Sequence, residues 1–318
     1  MNSRPEVSVV VPLLNEADIL PELIHRLQAV LAKIGASHEI IFVDDGSKDE
    51  SPAMLAKAAQ GDPRLRVVRL SRNFGQQIAA TAGIDRAQGN VVVLMDGDLQ
   101  DPPELIPTLL QSWREGYKVV YAVKAHRKES WFKRALFAGF YALMKRIGEV
   151  DLPADAGTFC ALDRRVVDVL RASSERHRYL PGLRAWAGFH QTGVVFERPA
   201  RAAGKPRQTY ARLFRLALDG IFAFSEVPLR ISSWLGLAVS VFAVCLAIVI
   251  VGIKLFSDKA IPGWASSMTA ISFLGAVQLL MIGILGQYLG RIYEEVKCRP
   301  LYVVADELNA PDGEKRRD

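Results

Sequence analysis

The sequence predicts a doubly wound α/β domain followed by two membrane-crossing helices, and three observations carry that reading. Over the first 125 residues, short β-branched runs bounded by turn formers alternate with longer stretches of helical spacing. Clusters of polar residues fall at the ends of those short runs. Further along, residues 231–253 and 260–290 contain no charged residue.

The short runs are "VSVVVP" (7–12), "EIIFVDD" (39–45), "LRVVRL" (65–70), "NVVVLMD" (90–96) and "KVVYAV" (118–123). Helical spacing fills the intervals near 17–34, 51–60, 76–88 and 103–115. Valine- and isoleucine-rich strands with nearly continuous hydrophobicity are expected in a parallel sheet covered on both faces. In doubly wound sheets of this kind ligands sit beyond the carboxyl ends of the strands. "PLLNE" (12–16), "DDGSKDES" (44–51), "SRNFG" (71–75) and "DGDLQD" (96–101) occupy those ends and are expected to converge on one polar cleft.

After residue 125 the texture changes. "WFKRALFAGFYALMKRI" (131–147) is an apolar, aromatic helix with cations near its ends, lying either in a membrane interface or on the sheet. "TYARLFRLALDGIFAF" (209–224) reads as an interfacial helix. About 20 apolar residues at about 1.5 Å each cross a hydrocarbon layer, so spans are expected at about 231–256 and 265–290. Arg212, Arg215 and Arg230 precede the first span, and Arg291, Lys297 and Arg299 follow the second. That bias places both termini in the cytoplasm, with Lys254 and Lys259 in the intervening loop counting against it. The expected divisions are a catalytic domain over 1–208, a membrane-proximal helix over 209–230, the spans over 231–290, and a cytoplasmic segment over 291–318. The tail "PDGEKRRD" has the composition of a disordered segment.

Composition excludes several classes. The net charge of +6 has no long basic run behind it, so nucleic acid is not an expected partner, whereas a protein facing anionic lipid has reason to be basic. The start "MNSRPEVSVVVPLLNE" is not a secretory signal. Cys160, Cys245 and Cys298 are odd in number and scattered, which suits a reducing compartment, and the five histidines lack metal-ligand spacing. A Walker lysine motif and a G-x-G-x-x-G are both missing, which disfavours a P-loop ATPase and a dehydrogenase. Gly275, Gly283, Gly286 and Gly290 in the second span would allow close helix contact, so a homo-oligomer is compatible with the sequence.

The densest chemistry lies in "VLMDGDLQDPPEL" (93–105). If the chain stays extended past the strand, Asp96, Asp98 and Gln100 face the same way. Two carboxylates and an amide carbonyl are hard oxygen donors suited to Mg²⁺ or Mn²⁺, which take further ligands from water and substrate phosphates. Gly97 permits close backbone approach. Asp101 is placed as an N-cap, with Pro102 at the first helical position and Glu104 at the third. For Asp44 and Asp45 the bland alternative is an ordinary Asp-Gly-Ser turn.

Together "VSVVVPLLNE", "IIFVDDGSKDES", "LSRNFGQQIAATAGIDRAQGN", "LMDGDLQDPPEL" and "GQYLGRIYEEVKCRPLY" resemble the family 2 glycosyltransferases that charge polyprenyl phosphates. The likeness is closer to bactoprenol glucosyltransferases than to dolichol-phosphate mannose synthases, and covers residues 6 to about 305. It implies a GT-A fold, a nucleotide-sugar donor, a divalent metal and a polyprenyl (undecaprenyl) phosphate acceptor at a membrane. By the same resemblance Pro12, Leu14, Glu16, Val43 and Asp45 hold the nucleoside. Asp96, Gly97 and Asp98 are the family's D-x-D, and Asp98 with Gln100 holds the metal. Lys124, where many relatives have arginine, joins Arg127, Arg201 and Arg207 around the donor and acceptor phosphates. The chain departs from the pattern in "PADAGTFCALDRR" (153–165), where relatives place an aspartate and an arginine around the phenylalanine and this sequence has Thr158 and Cys160. Thr158 or nearby Asp155 is expected to orient a sugar hydroxyl in place of that aspartate.

A lipid monophosphate has its second pKa near ~6, so it is largely dianionic at neutral pH and needs no protein base to attack. The enzyme must hold it in line and neutralise the leaving diphosphate. A single displacement inverts the anomeric centre. Glucose from a UDP-sugar is the leading expectation, with GDP-mannose and other UDP-sugars open. A nucleotide-binding or transport-accessory protein without transferase activity is the rival from another class. Spans without ionisable residues argue against a transport path. A processive synthase is disfavoured because "GLRAWAG" (182–188) lacks the glutamine and the R-W pair of the Q-x-x-R-W motif.

Overall fold

The computed structural model describes residues 4–124, 156–173, 175–176, 178–196, 227–256 and 263–311. These fall into an α/β unit, which takes residues up to 196 together with 299–311, and a helical unit of residues 227–298. The predicted helices at 131–147 and 209–224 and the tail from 312 lie outside the described residues.

In the α/β unit the elements run β1 (Val7–Leu13), α1 (Leu20–Ile34), β2 (His38–Asp44), α2 (Ser51–Gly61), β3 (Leu65–Leu70), α3 (Gln76–Arg86), β4 (Val91–Leu94), a 3-10 turn (Pro103–Leu105), α4 (Ile106–Arg114) and β5 (Val119–Lys124). There follow β6 (Ala156–Asp163), α5 (Arg164–Ala172), α6 (Leu180–Trp186) and β7 (Gln191–Phe196). The helical unit holds α7 (Val227–Phe256) and α8 (Trp264–Val296), after which β8 (Val304–Leu308) belongs again to the α/β unit.

The strands form one eight-stranded sheet in the order β7-β5-β6-β4-β1-β2-β3-β8. Strands β4, β1, β2 and β3 are parallel, as the sequence predicts. The sheet as a whole is mixed, because β6 runs antiparallel between β4 and β5, and β8 runs antiparallel along β3. Along β1, Val9 and Val11 pack on one face with Leu20, Leu23 and Leu27 of α1 and Leu109 of α4, while Val10 packs on the other with α3 and α5. Alternation along a strand covered on both sides is what makes its whole sequence apolar. Helix α3 lies very close to the sheet, since a Cβ at Gly83 would stand 2.3 Å from Val10 Cγ1.

Two local expectations fail for the same kind of reason. Strand β4 ends at Leu94, and the chain turns through residues 97–98 with Leu99 at φ 56, so residues 96–100 are not extended. Asp101 is not the helix N-cap: Pro102 is extended (φ -73, ψ 125) and the 3-10 turn begins at Pro103. A residue before proline is pushed out of the helical region, so the second proline delays the start. Glu104 instead meets Arg26 of α1, with its Oε2 accepting from Nη2 at 2.6 Å.

Charged groups buried under the β2–β3–β8 edge pair with one another. Glu39 accepts from Ser8 Oγ (2.6 Å), the Gln88 amide (2.7 Å) and Arg66 Nη1 (3.0 Å). Arg66 Nη2 and Arg86 Nε both donate to Glu307 of β8, at 3.1 and 3.0 Å. Tyr302 accepts from Arg86 Nη1 and donates to Asp85, and burial together with the Asp85 charge pushes its phenol up to about 12. Asn309 caps the arrangement by donating to the carbonyls of Ala59 and Leu65 at 2.7 and 2.8 Å.

In the helical unit, α7 is 30 residues long and α8 is 33. Among the described residues, one stretch, Thr269–Val296, is long and apolar enough to cross a membrane, and Ser232–Leu246 is a shorter apolar run. The helices touch where Gly236 meets Met281, whose Sδ would lie 3.5 Å from an added Cβ.

Removing Glu39 would take one of two carboxylates from the Arg66 guanidinium, which is only 3% exposed, and the acceptor from Ser8 Oγ and the Gln88 amide. Glu39→Ala is therefore expected to lower the stability of the α/β unit by about 3–5 kcal/mol, read as a reduced urea midpoint.

Candidate active site

Beyond the carboxyl ends of β1 and β2, two loops are strapped together. Asn15, at φ 54, donates its amide to Ser47 Oγ (2.9 Å) and accepts from the Lys48 amide through Oδ1 (2.8 Å). Asparagine tolerates the left-handed region better than most residues, which suits it to this corner. The Glu16 amide donates to Ser51 Oγ at 3.1 Å and the Ala17 amide to Asp49 Oδ2 at 3.1 Å. Leu14 is partly exposed at the rim, while the Pro12 and Val43 side chains are buried, Val43 in the core beneath α3.

Asp44 and Asp45 serve different neighbours. Asp44, fully buried, accepts the Ser47 amide at 2.8 Å, and its other oxygen lies 3.5 Å from Arg69 Nε. It lines a cleft of about 440 Å³ with Lys48, Asp49, Arg69 and Asp306. Asp45 accepts the Phe74 amide on Oδ1 (2.7 Å) and the Gly75 amide on Oδ2 (2.9 Å). Burial, aided by the adjacent Asp44 charge, raises its carboxyl above the ordinary range against the pull of those two amides. Gly75 is the N-cap of α3 and has φ 98. Asp45 thus fixes the entry to α3 from a neighbouring strand, the work a capping side chain ordinarily does from within the helix. Gly46 is required here twice over, by φ 76 and because a Cβ would stand 2.7 Å from the Arg72 carbonyl carbon.

At the end of β4 the Asp96-Gly97-Asp98 turn packs directly on β1. A Cβ at Gly97 would stand 3.1 Å from Leu13 Cβ and 3.2 Å from the Pro12 carbonyl oxygen, so the close approach is to the neighbouring strand. Asp96 Oδ1 accepts from Gln76 Nε2 of α3 at 2.6 Å. Asp98 Oδ1 accepts the Gln100 amide at 3.1 Å, which closes the turn. Both aspartates are half-buried and Gln100 is buried. Among the described residues no group of three or more histidine, cysteine, aspartate or glutamate side chains forms a metal cage. Two carboxylates with one amide are nonetheless hard oxygen donors, and they fit an ion that draws its other ligands from water and phosphate.

The order β4-β1-β2 therefore brings Pro12, Leu14, Glu16, Asp45, Asp96, Gly97, Asp98 and Gln100 to adjacent strand ends. Thr158 lies half-buried on β6, and Lys124 ends β5. Asp155, Arg127, Arg201 and Arg207 lie outside the described residues. One feature of this region has no signal in the strand pattern. Cys160 is buried in register between Leu94 and Tyr121, and Arg184 of α6, 3% exposed, lies with its guanidinium 5.3 Å from the Tyr121 ring centroid. "GLRAWAG" draws notice in the sequence only for a motif it lacks.

Comparison with known proteins adds three findings. The model of the family described as Glycosyl transferase family 2 matches residues 8–171. Relatives include an uncharacterized glycosyltransferase of Synechocystis sp., 45% identical over 95% of each chain, and another of Bacillus subtilis, 40% identical over 100% of this chain and 99% of that one. A prophage-derived bactoprenol glucosyl transferase of Shigella flexneri is 35% identical over 94% of this chain and 97% of its own. Among solved structures, glucosyl-3-phosphoglycerate synthase from Mycobacterium tuberculosis with Mn²⁺, UDP-glucose and phosphoglyceric acid aligns with a TM-score of 0.47 at 20% identity, covering 69% of this chain and 78% of that one.

The Asp45 clamp is testable by itself. Asp45→Asn leaves one acceptor for two amides, so the peptide spanning residues 71–76 is expected to exchange its protected hydrogens about tenfold faster, roughly 1.4 kcal/mol, measured by hydrogen–deuterium exchange.

Proposed function

The chain belongs to glycosyl transferase family 2, and on that premise we propose that it is an inverting transferase moving a hexose from a nucleotide sugar to a polyprenyl phosphate. The glycosyltransferase assignment rests on the family match and the GT-A, Rossmann-like α/β unit. The acceptor is carried by one observation. Similarity to the Shigella flexneri bactoprenol glucosyl transferase spans 94% of the chain, far past residue 171 where the family model stops, and so takes in the apolar helices. UDP-glucose as donor and undecaprenyl phosphate as acceptor are the specific pair we infer, for cell-envelope glycan modification.

The residues divide the work. Pro12, Leu14, Glu16, Val43 and Asp45 frame the nucleoside, with Asp45 acting through the loop it clamps. Asp96, Gly97 and Asp98 face the sugar diphosphate, and Gln76 holds Asp96 in place. Asp98 and Gln100 would hold Mg²⁺ or Mn²⁺, which when bound supplies positive charge for the departing diphosphate. Lys124, Arg127, Arg201 and Arg207 hold donor and acceptor phosphates, guanidinium groups gripping them bidentately. Thr158 or Asp155 orients a sugar hydroxyl. The dianionic acceptor attacks the anomeric carbon as the bond to the nucleoside diphosphate breaks, giving a β-linked product from an α-linked donor.

Chain connectivity supports two crossings. The polypeptide leaves the α/β unit before α7 and rejoins it as β8, and a pair of crossings by α7 and α8 would return it to the side it left. The positive-inside bias then puts the α/β unit in the cytoplasm, and residues 257–262 outside.

Purified protein with UDP-glucose and undecaprenyl phosphate is expected to release UDP, to stop in chelator, and to lose at least about 100-fold in kcat/KM in Asp98→Ala. Turnover with another donor would replace the sugar, and no turnover with any would end the reading. In intact cells, Ser257→Cys in a cysteine-free background is expected to react with a membrane-impermeant maleimide, while Asn309→Cys reacts only after lysis.

A further inference from the structure

Arginines in the interior of the α/β unit are mostly spent on the fold itself. Arg171 donates to the carbonyls of Ile84 and Ala87, and Arg164 to those of Ala87 and Gly89. Arg178 is held by the carbonyls of Ser173 and Glu175. Arg184 differs. It is 3% exposed, and among the described residues it is the one arginine with two buried nitrogens, Nε and Nη2, that have no acceptor.

Those two atoms define a direction. Nε–H and Nη2–H are the parallel pair on one edge of the guanidinium plane, the edge that takes two oxygens of a carboxylate or phosphate at once. Tyr121 supports the plane from one side, with the guanidinium carbon 5.3 Å from its ring centroid. The adjacent Cys160 thiol supplies no counter-charge, because burial pushes its ionisation upward. An ionised guanidinium kept from water with one edge unpaired is costly, and holding a ligand would be a reason to keep it.

Its position favours the ligand. Tyr121 pairs with Cys160, Cys160 pairs with Leu94, and Asp96 follows Leu94 by two residues. The start of α6 is tied to the first turn of α3, where Gln77 Oε1 accepts the Leu180 amide at 3.0 Å. The preceding Gln76 holds Asp96. The arginine and the Asp96–Asp98 turn are thus positioned from the same turn of helix.

We propose that Arg184 is a phosphate-binding residue of this site, its Nε/Nη2 edge gripping two oxygens of one substrate phosphoryl group. The proposal rests on the transferase reading, in which the substrates' oxyanions are the donor diphosphate and the acceptor monophosphate. A neutral sugar hydroxyl would be served as well by an amide, without the cost of a buried charge.

Full-length protein in detergent, with Arg184→Met and Arg184→Lys, tests it. UDP and uridine binding are measured by calorimetry with Mn²⁺, the KM for undecaprenyl phosphate by turnover, and the melting temperature without ligand. If the donor diphosphate is the ligand, Arg184→Met weakens UDP binding about 10- to 100-fold, leaves uridine unchanged, and is only partly rescued by lysine. If the acceptor is the ligand, the same loss appears in the undecaprenyl phosphate KM and UDP is unaffected. In either case the unliganded Arg184→Met protein melts no lower than the wild type, since an uncompensated charge has been removed. UDP affinity and acceptor KM both within twofold of wild type would overturn the proposal. So would a lowered melting temperature, which would make Arg184 a structural ion. The calorimetric arm needs no turnover, so a wild type that binds UDP without transferring sugar would end the functional reading and leave Arg184 still decided.

Discussion

Two hydrogen bonds, from the amides of Phe74 and Gly75 to the carboxylate of Asp45, position much of what surrounds the strand ends. They fix where α3 begins, and α3 begins with two glutamines that each hold something else. Gln76 binds Asp96, and Gln77 binds the start of α6 and so sets the depth of Arg184. The carboxyl ends of β2 and β4 are not adjacent in the sheet, because β1 lies between them. A helix entered from one and bonded to the other spans that gap. Asp45 bears burial beside a second buried acid to do this, and that burial raises its carboxyl above the ordinary range.

Acid-rich motifs of this sort invite a reading in which every carboxylate faces substrate. Most of these are at least half committed to the fold. Asp44 and Asp49 close turns and strap loops, Asp98 binds the amide two residues on, and Glu104 ties the 3-10 turn to α1. A carboxylate has two oxygens and about four lone-pair directions, so one oxygen in a turn leaves the other for a ligand. Holding the first oxygen is what keeps the second in place. This is how a loop with the composition of a flexible turn can present hard oxygen donors without a preformed cage.

Strands β1 to β5 and helices α1 to α4 were legible in the sequence because burial on both faces writes itself as continuous apolar runs with turn formers at the ends. Strands β6, β7 and β8 were not. "AGTFCALD" carries glycine, threonine and cysteine where a core strand would carry valine, and β8, "VADEL", is an edge strand half exposed to solvent. Nothing local announces that a strand 241 residues beyond Arg66 will supply its second carboxylate. At the site, the types of the residues were readable and their conformations were not. Leu99 adopts a left-handed φ and Pro102 an extended ψ, and each defeats a local rule that assumed the regular continuation. Arg184 was invisible for a different reason, since burial of a single arginine on a short helix has no period.

The return of the chain as β8 links the two units covalently at both ends of the helical segment, and the chemistry of the β3–β8 seam makes that link firm. Glu307 joins Arg66 and Arg86, Tyr302 joins Arg86 and Asp85, and Asn309 caps three carbonyls of the α2–β3 corner. A dangling C-terminal tail could slide along the sheet edge or detach from it. A strand that supplies Glu307 cannot do so without taking one of two carboxylates from Arg66, whose guanidinium is 3% exposed. The seam therefore makes the return of the chain a second tether to the sheet.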